Sequence, residues 1–333
     1  MRCRHRVCIL AATVLLQAQA GASPEPGLLV ERMCEQSDVV ALGTIPSLSR
    51  GNPTTFVFAG RVAPGHVMSG SLTVAEVLKG ATPTDVHLEF TAADERTTFG
   101  SVPVGSVRLY FLKHAGEHFT FTDPYYPSIV GARGAALKGS VIDKVAATVA
   151  RVMTVSEASR SERVEALGIL GSLRSDESIT GLLSSLQSPD RSLRLSAAGN
   201  LLRLNDLRGL SPAVAALMAS DGMDAQANYD LIRGVMGLKD PAGAPLVIQL
   251  LGCPDKFVRR AAVSGLISMG SRSAIAGLGK ALYDADVEVR ESAVGGLADL
   301  TNQGEWHPSM DLYRADESKY LTYWKDWIRR HPG

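Results

Sequence analysis

The sequence has few aromatic residues, few cysteines and no excess of charge of either sign. Only 6% of its 333 residues are aromatic, so we expect a core built mostly from leucine, valine, isoleucine and alanine. Lysine and arginine total 34, as do aspartate and glutamate, and the basic residues form no stripe. This balance argues against a nucleic-acid-binding protein, which needs concentrated positive charge. A hydrophobic fraction of 45% is too high for a disordered chain, and the length suits two domains.

Sequence signatures of catalysis are also missing. The chain has no Gly-x-Ser-x-Gly, no His-Glu-x-x-His, no Walker phosphate-binding loop and no Cys-x-x-Cys. His114 and His118 have the spacing of metal ligands on a helix, but Gly116 lies between them and the flanking residues have a strand pattern. We therefore predict no catalytic residues, no cofactor and no metal site, and we expect the partner to be another protein rather than a nucleic acid.

Residues 1–20 have the organisation of a secretory signal peptide. Three arginines among the first six residues precede an apolar run over residues 7–16, and the segment ends in Gln-Ala-Gln-Ala. The apolar run has about half the length needed to cross a bilayer, and no later segment is long enough. We predict cleavage after Ala20, with Ala22 as the alternative. The mature protein is then exported to the periplasm or the exterior and has no membrane span.

Two cysteines remain after this cleavage, Cys34 and Cys253. They lie far apart in the sequence and do not form the disulfide framework of a small secreted domain. Two interpretations stay open, which are two separately buried thiols or one bridge between the domains.

Residues 28–135 have the pattern of short antiparallel strands. Apolar and polar residues alternate around Val86, Leu88 and Phe90, which predicts strands with one buried face. Ala115-Gly116 predicts a hairpin turn between the last two strands. Residues 28–36 favour a short helix before the first strand. Five or six short strands in this length predict a small antiparallel barrel. The strand-like segments are 39–45, 56–58, 72–78, 86–90, 107–113 and 118–121.

Three segments of this region, Ser37–Ile45, Val74–Gly80 and Gly105–Leu112, share a pattern with a known family. They resemble the OB-like barrel of netrin-like modules and tissue inhibitors of metalloproteinases, and in particular the disulfide-free bacterial relatives. The animal inhibitors place the amino group of a cysteine on the protease zinc, whereas the predicted mature chain here begins at Gly21. The resemblance implies an OB-like barrel and, as one candidate function, inhibition of a protease.

From about residue 140 onward the sequence turns helical and repeats. Four polar residues, which are Asp190, Asp224, Asp255 and Asp286, are spaced 34, 31 and 31 residues apart. Four residues after each stand Arg194, Asn228, Arg259 and Arg290, and Arg163 has the same phase one period earlier. We call these nine residues the repeat ladder.

Small and apolar residues at offsets 7, 8 and 11 from each aspartate of the repeat ladder form one face of a helix. A second apolar stretch completes each unit, so that about five helix pairs stack into a solenoid. We expect each aspartate to cap a helix, with alanine at the closest helix contact. The arginine one turn later pairs with that aspartate or with the aspartate of the next unit. Exposed pairs contribute about 0–1 kcal/mol each, and Asn228 predicts a weaker contact in its unit.

The segments Asp190–Ala198, Asp255–Ala262 and Asp286–Ala293 resemble HEAT-like repeats of the short type found in phycobilisome lyases. The resemblance extends over about residues 156–300 and implies a helical solenoid. It also brings in a further candidate function, that of a lyase-type enzyme that handles a chromophore or cofactor.

Two aromatic segments are candidate partner contacts. Tyr125 and Tyr126 lie in a rigid loop between prolines, which favours either a contact site or packing between domains. Tyr323 and Trp327 belong to an aromatic stripe at helical spacing near the C-terminus. This stripe is either a cap over the last repeat or an exposed docking surface.

These observations predict an α+β protein of two domains, in which a small antiparallel OB-like β-barrel precedes an all-α HEAT-like solenoid. The leading function is an exported, non-catalytic scaffold or adaptor that binds other proteins through the solenoid surface. The predicted segments are the signal peptide (1–20), a linker (21–27), the barrel (28–135), a connecting helix (136–158), the repeats (159–304) and the aromatic cap (305–333).

Overall fold

The computed structural model describes residues 26–58, 61–93, 102–219 and 225–331. The predicted signal peptide and its cleavage sites, the predicted mature N-terminus Gly21 and Asp224 of the repeat ladder lie outside these residues. The N-terminal part is rich in strands and the C-terminal part is helical. The described part contains no helix that is both long enough and apolar enough to span a membrane.

A short helix precedes seven strands. Helix α1 is Pro26–Gln36, as the sequence predicted, and Phe121 ends a strand at the predicted residue. The strands are β1 Val39–Thr44, β2 Leu48–Phe58, β3 Arg61–Lys79, β4 Asp85–Ala93, β5 Val107–Ala115, β6 His118–Phe121 and β7 Ser128–Val130. Strands β2 and β3 are longer than the predicted segments because they continue together as a hairpin through residues with little apolar character.

The strand pairings return to their starting point. Strand β1 pairs with both β3 and β5, and the path from β3 continues through β4 and β6 to β5. All of these pairings are antiparallel except that of β4 with β6, which is parallel. Gly116, at φ 72°, forms the predicted turn between β5 and β6. Strand β2 pairs with β3, and strand β7 pairs with β5.

Strands β1 and β5 are buried on both faces. Ala41 and Tyr110 belong to a core enclosed by the strands, together with the alternating residues Val86, Leu88 and Phe90 of β4. Leu42 and Phe111 point the other way, into a core shared with the first helices of the C-terminal part. Period-two alternation thus gives each of these strands two apolar faces, and the second face joins the two parts of the chain.

Lys79 fastens α1 to the sheet. Its ammonium group donates hydrogen bonds to the carbonyl oxygens of Cys34, Glu35 and Ser37 at 2.8, 3.0 and 2.6 Å. These carbonyls lie at the C-terminal end of α1, where helices leave acceptors unpaired and favour a positive charge. The following Gly80 has φ 75°, and a side chain there would overlap the carbonyl oxygen of Asp38. Lys79 and Gly80 therefore hold the end of α1 and the residues just before β1 against the sheet.

Twelve further α-helices follow in the described residues, several with capping side chains. Ser140 and Ser159 form capping boxes with Asp143 and Glu162 at the start of α2 and α3. The helices are α2 Val141–Arg151, α3 Arg160–Leu170, α4 Asp176–Ser185, α5 Arg191–Arg203, α6 Leu210–Ala219, α7 Ala225–Gly237, α8 Ala244–Gln249, α9 Lys256–Met269, α10 Arg272–Ala281, α11 Val287–Leu300, α12 Met310–Ala315 and α13 Glu317–Arg330.

Most of these helices form two layers. Helices α3, α5, α7, α9 and α11 pack one against the next in the first layer. In the second layer α2 contacts α4, and α6, α8 and α10 contact one another in turn. The predicted connecting helix, α2, therefore packs as a member of the stack. Each helix pair leaves apolar residues that only its neighbours cover, and the result is one core from Leu195 to Trp324.

Several glycines lie at close contacts between neighbouring helices. A Cβ atom on Gly199 of α5 would overlap the backbone of Asp230 in α7, and one on Gly265 of α9 would overlap the carbonyl group of Val235. A Cβ atom on Gly234 of α7 would likewise overlap the carbonyl oxygen of Gly199. The predicted alanines are fully buried, and these glycines add positions at which no side chain fits.

The sheet and the first helices are joined by polar contacts as well as by the shared core. The Glu165 carboxylate of α3 accepts a hydrogen bond from Arg108 Nη2 at 2.7 Å and another from the backbone N–H of Val130 at 3.0 Å. Arg108 also donates to Ser128 Oγ at 3.0 Å. These contacts bind β5 and β7 to the first repeat helix, so the sheet covers the N-terminal end of the stack.

Candidate interaction surface

The aspartates of the repeat ladder are helix N-caps. Asp190, Asp255 and Asp286 precede α5, α9 and α11, and each accepts hydrogen bonds from backbone N–H groups of the first helical turn. For example, Asp190 Oδ1 accepts from the N–H of Ser192 at 2.8 Å. Ser159 has the same role before α3. Each carboxylate therefore satisfies donors that the helix itself leaves unpaired.

The arginines of the repeat ladder hold the loop that precedes their own helix. Arg194 donates to the carbonyl oxygens of Ser188 and Pro189 at 2.6 and 3.0 Å. Arg259 and Arg290 make the matching pairs of bonds five and six residues back along the chain. Arg163 donates to the carbonyl of Val155 at 2.8 Å. A fixed loop geometry is thus repeated from unit to unit.

The same arginines connect neighbouring units. Arg259 binds Asp284 with two hydrogen bonds of 2.7 and 2.9 Å, so its partner is an aspartate of the next unit, two residues before the N-cap Asp286. Arg290 bonds to Glu317 of α13 at 2.5 Å. Burial has the largest single effect and would raise the pKa of Asp284, but the hydrogen bonds from Arg259 and from the backbone N–H of Asp286, together with the Arg259 charge, lower that pKa overall. Both carboxylates are held ionised, since the Arg290 hydrogen bond also lowers the pKa of Glu317.

The third unit departs from this arrangement. Asn228 replaces the arginine and lies half-buried in α7. Two residues later, the nearly fully buried Asp230 accepts hydrogen bonds from Ser196 Oγ of α5 and, at 3.0 Å, from Gln226 Nε2. Burial raises the pKa of Asp230, although these hydrogen bonds and the charges of two nearby arginines work in the opposite direction. A buried carboxylate therefore joins α5 to α7 in the unit that lacks the arginine.

Tyr125 and Tyr126, the first two aromatic residues predicted as partner contacts, lie partly buried in a fixed loop. Tyr126 packs against the core shared by the sheet and the first helices. The backbone N–H groups of Tyr125 and Tyr126 both bond to Asp123 Oδ1, at 2.9 and 3.3 Å, which fixes their loop. Tyr125 is half-buried.

Tyr323 and Trp327 lie on α13, where the aromatic stripe packs against the last repeat. Trp324, between them, is fully buried, and Tyr323 stacks on Trp306 with ring centroids 3.5 Å apart. Tyr323 and Trp327 are partly buried against the repeat core. These contacts agree with a cap over the end of the stack.

One feature of this cap was missed in the sequence. Asp316 stands 30 residues after Asp286 and caps α13, accepting a hydrogen bond from the N–H of Lys319 at 3.1 Å. Aromatic residues then replace the small ones of the other units, with Tyr323 at offset 7. The spacing alone would have placed α13 in register with the repeats. The exposed position of Tyr283, which is 70% exposed beside α13, was not predicted from the sequence either.

The two cysteines and the candidate metal-ligating His114 lie in separate places in the described part of the chain. Cys34 and Cys253 are buried in different cores and form no disulfide with each other, and burial raises the pKa of the Cys34 thiol to about 12. His114 packs on Phe119 across the β5–β6 hairpin, with ring centroids 4.3 Å apart. Among residues 26–58, 61–93, 102–219 and 225–331, no three His, Cys, Asp or Glu side chains are grouped as metal ligands would be.

Comparison with known proteins agrees with the helical architecture. Residues 212–298 match the family model of HEAT repeats. No curated protein matches the chain. Similar solved structures include an engineered protein, at 19% identity over 49% of this chain and 88% of that one, with a TM-score of 0.32. Another is the complex of CpcE and CpcF of phycocyanin lyase from Nostoc sp. PCC7120, at 17% identity over 61% of this chain and 91% of the chain in that structure, with a TM-score of 0.31. The family match therefore places HEAT repeats in residues 212–298, within the stacked helix pairs of the C-terminal part.

Proposed function

We propose that this chain is an exported, non-catalytic adaptor that binds another protein through the sides of its helical stack. The observation that carries the proposal is the stack itself. Helix pairs continue in one register from α3 to α11, the sheet covers one end, and α13 covers the other. The sides of the two layers stay exposed, and repeat stacks of this kind offer long surfaces rather than closed pockets. Protein partners are therefore favoured.

The N-terminal strands support an OB-like barrel in this proposal. Five strands pair in a closed ring, with four antiparallel pairings and one parallel pairing. Two-sided burial of β1 and β5 lets such a barrel pack on the helices while keeping its own interior core. We infer that the barrel positions the stack at its N-terminal end.

Photo-cross-linking tests the adaptor proposal. A photoreactive phenylalanine analogue replaces exposed residues on the second helical layer, Ser211 and Ala276, or Val62 on the sheet as the matched control. After irradiation in the native compartment, we expect one defined protein to be cross-linked from the helical positions only. Cross-links from Val62 alone, or turnover of a small molecule by the purified protein in a broad substrate screen, would contradict the proposal.

Export is tested separately by cell fractionation and by mass spectrometry of the mature chain. We expect a mature N-terminus at Gly21 or Ser23 and recovery outside the cytoplasm. An intact Met1 in the recovered protein would contradict export and leave the adaptor proposal to the cross-linking result.

Protease inhibition is the second candidate, and the closed ring of strand pairings favours it. The inhibitor mechanism of the resembling family needs a cysteine at the mature N-terminus. Here Cys34 is buried within α1, with only 4% of its surface exposed, and cleavage before it would remove most of that helix. Inhibition assays against a panel of metalloproteases decide this candidate, and we expect no inhibition. A chromophore or cofactor bound to the purified protein would instead favour the lyase-type alternative.

A further inference from the structure

A cleft of about 510 Å³ lies where the last repeat meets the C-terminal cap. The loop that carries Tyr283 and Asp284 forms one wall, and the Leu321, Thr322 and Lys325 side of α13 forms the other. Its volume lies within the range of pockets that hold ligands in other proteins. The cleft sits beside the last arginine of the repeat ladder, at the point where the regular stack ends.

Tyr283 distinguishes this cleft from the corresponding loops of other units. Three residues before the N-cap aspartate, the second unit has Gln187 and the fourth has Gly252, whereas the fifth has Tyr283. Its ring is 70% exposed, the largest exposure among the large apolar side chains of the described residues. The Lys325 ammonium lies over this ring at 4.2 Å from its centroid. An exposed aromatic face beside a cation is a surface on which a ligand can pack.

The charges of the cleft favour a negative ligand. Its two carboxylates are already engaged, since Asp284 is bound by Arg259 and Glu317 by Arg290 and by the Tyr313 hydroxyl at 2.9 Å. Within the part of the chain that the structure describes, no carboxylate lies within 4 Å of the Lys325 ammonium. Lys325 can therefore pair with an anion without breaking an existing ion pair.

We propose that this cleft binds an acidic peptide segment of a partner protein. A carboxylate of the segment pairs with Lys325, a neighbouring apolar side chain packs on Tyr283, and the Thr322 hydroxyl lies in the same wall as a hydrogen-bonding group. This inference rests on the proposed function as a protein-binding stack, and it names the site and the chemistry of the partner.

The test uses random dodecapeptides displayed on phage and selected on the immobilised full chain. Enriched peptides are then synthesised, and their affinities are measured by fluorescence anisotropy for four variants. Tyr283→Ser and Lys325→Gln alter the cleft. Tyr229→Ser and Lys319→Gln are matched controls, because Tyr229 is an exposed tyrosine on α7 and Lys319 is a lysine over aromatic rings elsewhere on α13. Circular dichroism and thermal melting establish that each variant is folded.

We expect the enriched peptides to contain Asp or Glu, and we expect the two cleft variants to weaken binding by about tenfold or more. The controls should change affinity by less than about twofold. Replacing the peptide's acidic residues by their amides should weaken binding to the wild type but not to Lys325→Gln. A lack of enrichment, enrichment of peptides without acids, or equal affinity in all four variants overturns the inference. If the cross-linked partner binds both cleft variants as tightly as the wild type, the cleft proposal fails while the adaptor proposal stands.

Discussion

Replacing Asp230 by asparagine removes a buried charge but keeps a polar atom in each hydrogen-bonding position. In the folded protein, Asp230 accepts from Ser196 and from Gln226. The asparagine oxygen still accepts from Gln226, and its amide group donates to the Ser196 hydroxyl. Because the desolvation cost of the charge disappears, we expect Asp230→Asn to lie within about 1 kcal/mol of the wild type at pH 7, or to be more stable.

Asp230→Ala provides the contrast. It leaves the buried Ser196 hydroxyl without its partner in a closely packed contact between α5 and α7, whereas the exposed Gln226 amide can bond to water. An unsatisfied buried group costs about 1–3 kcal/mol, so the free energy of unfolding should fall by about that amount. The melting temperature should fall by roughly 5 °C in a protein of this size. Thermal and urea unfolding measure both variants beside the wild type.

The pH dependence gives the sign of the effect. Because the folded-state pKa of Asp230 is raised above its ordinary value of 3.8, the folded protein binds this proton more tightly than the unfolded chain. The cost of burying the charge is therefore present in full only above the raised pKa. It declines as the pH falls through the raised pKa and is absent below 3.8. Any stability advantage of Asp230→Asn should shrink over this range. An asparagine variant as unstable as the alanine variant, with a difference from the wild type that does not vary with pH, would refute the reasoning.

Three further predictions concern single contacts. Lys79→Met removes three hydrogen bonds to the end of α1 and should lower the free energy of unfolding by about 1–3 kcal/mol. Amide hydrogen exchange should become faster in α1 only, and an equal increase throughout the protein would argue against a local role. Arg259→Ala leaves the buried Asp284 side chain without its arginine and should lower the free energy of unfolding by about 3 kcal/mol, measured by urea unfolding. The same substitution should have a smaller effect when it is made in the Asp284→Ala variant, because the buried carboxylate is then already absent. Gly199→Ala should destabilise by about 1–3 kcal/mol, whereas Gly168→Ala, where a side chain meets open space, should be neutral or stabilising in the same melting assay.

The sequence was sufficient for the order of the first six strands and of the repeat helices because its periodicities are strong, whereas the three-residue strand β7, Ser128–Val130, is too short to show alternation and was not predicted. Alternation at Val86, Leu88 and Phe90 predicted a strand with one buried face, and these three side chains are buried in the structure. The recurring aspartates and arginines predicted the helical repeats that the family match also finds. In both cases the pattern arises from local geometry, which is 2 residues per repeat in a strand and about 3.6 in a helix.

Contacts between units could not be predicted in the same way. The arginine partner Asp284 is not the N-cap aspartate, and its position depends on how far one loop lies from the next helix. The close approach of α7 to Gly199 depends on the path of two backbones, which apolar periodicity does not specify. The cleft beside Tyr283 forms only because α13 crosses the end of the stack, so nothing in the residues near Tyr283 would indicate it.

The two covered ends also limit how this architecture can change in length. A unit appended after α13 would meet an aromatic surface already packed on the last repeat, and one placed before α2 would collide with the strands. A duplicated helix pair inserted between α9 and α11 would find Arg259 on one side and the Asp284 carboxylate on the other. Variation in the number of units among relatives should therefore arise by internal duplication, with the strands and the aromatic helix retained as fixed termini.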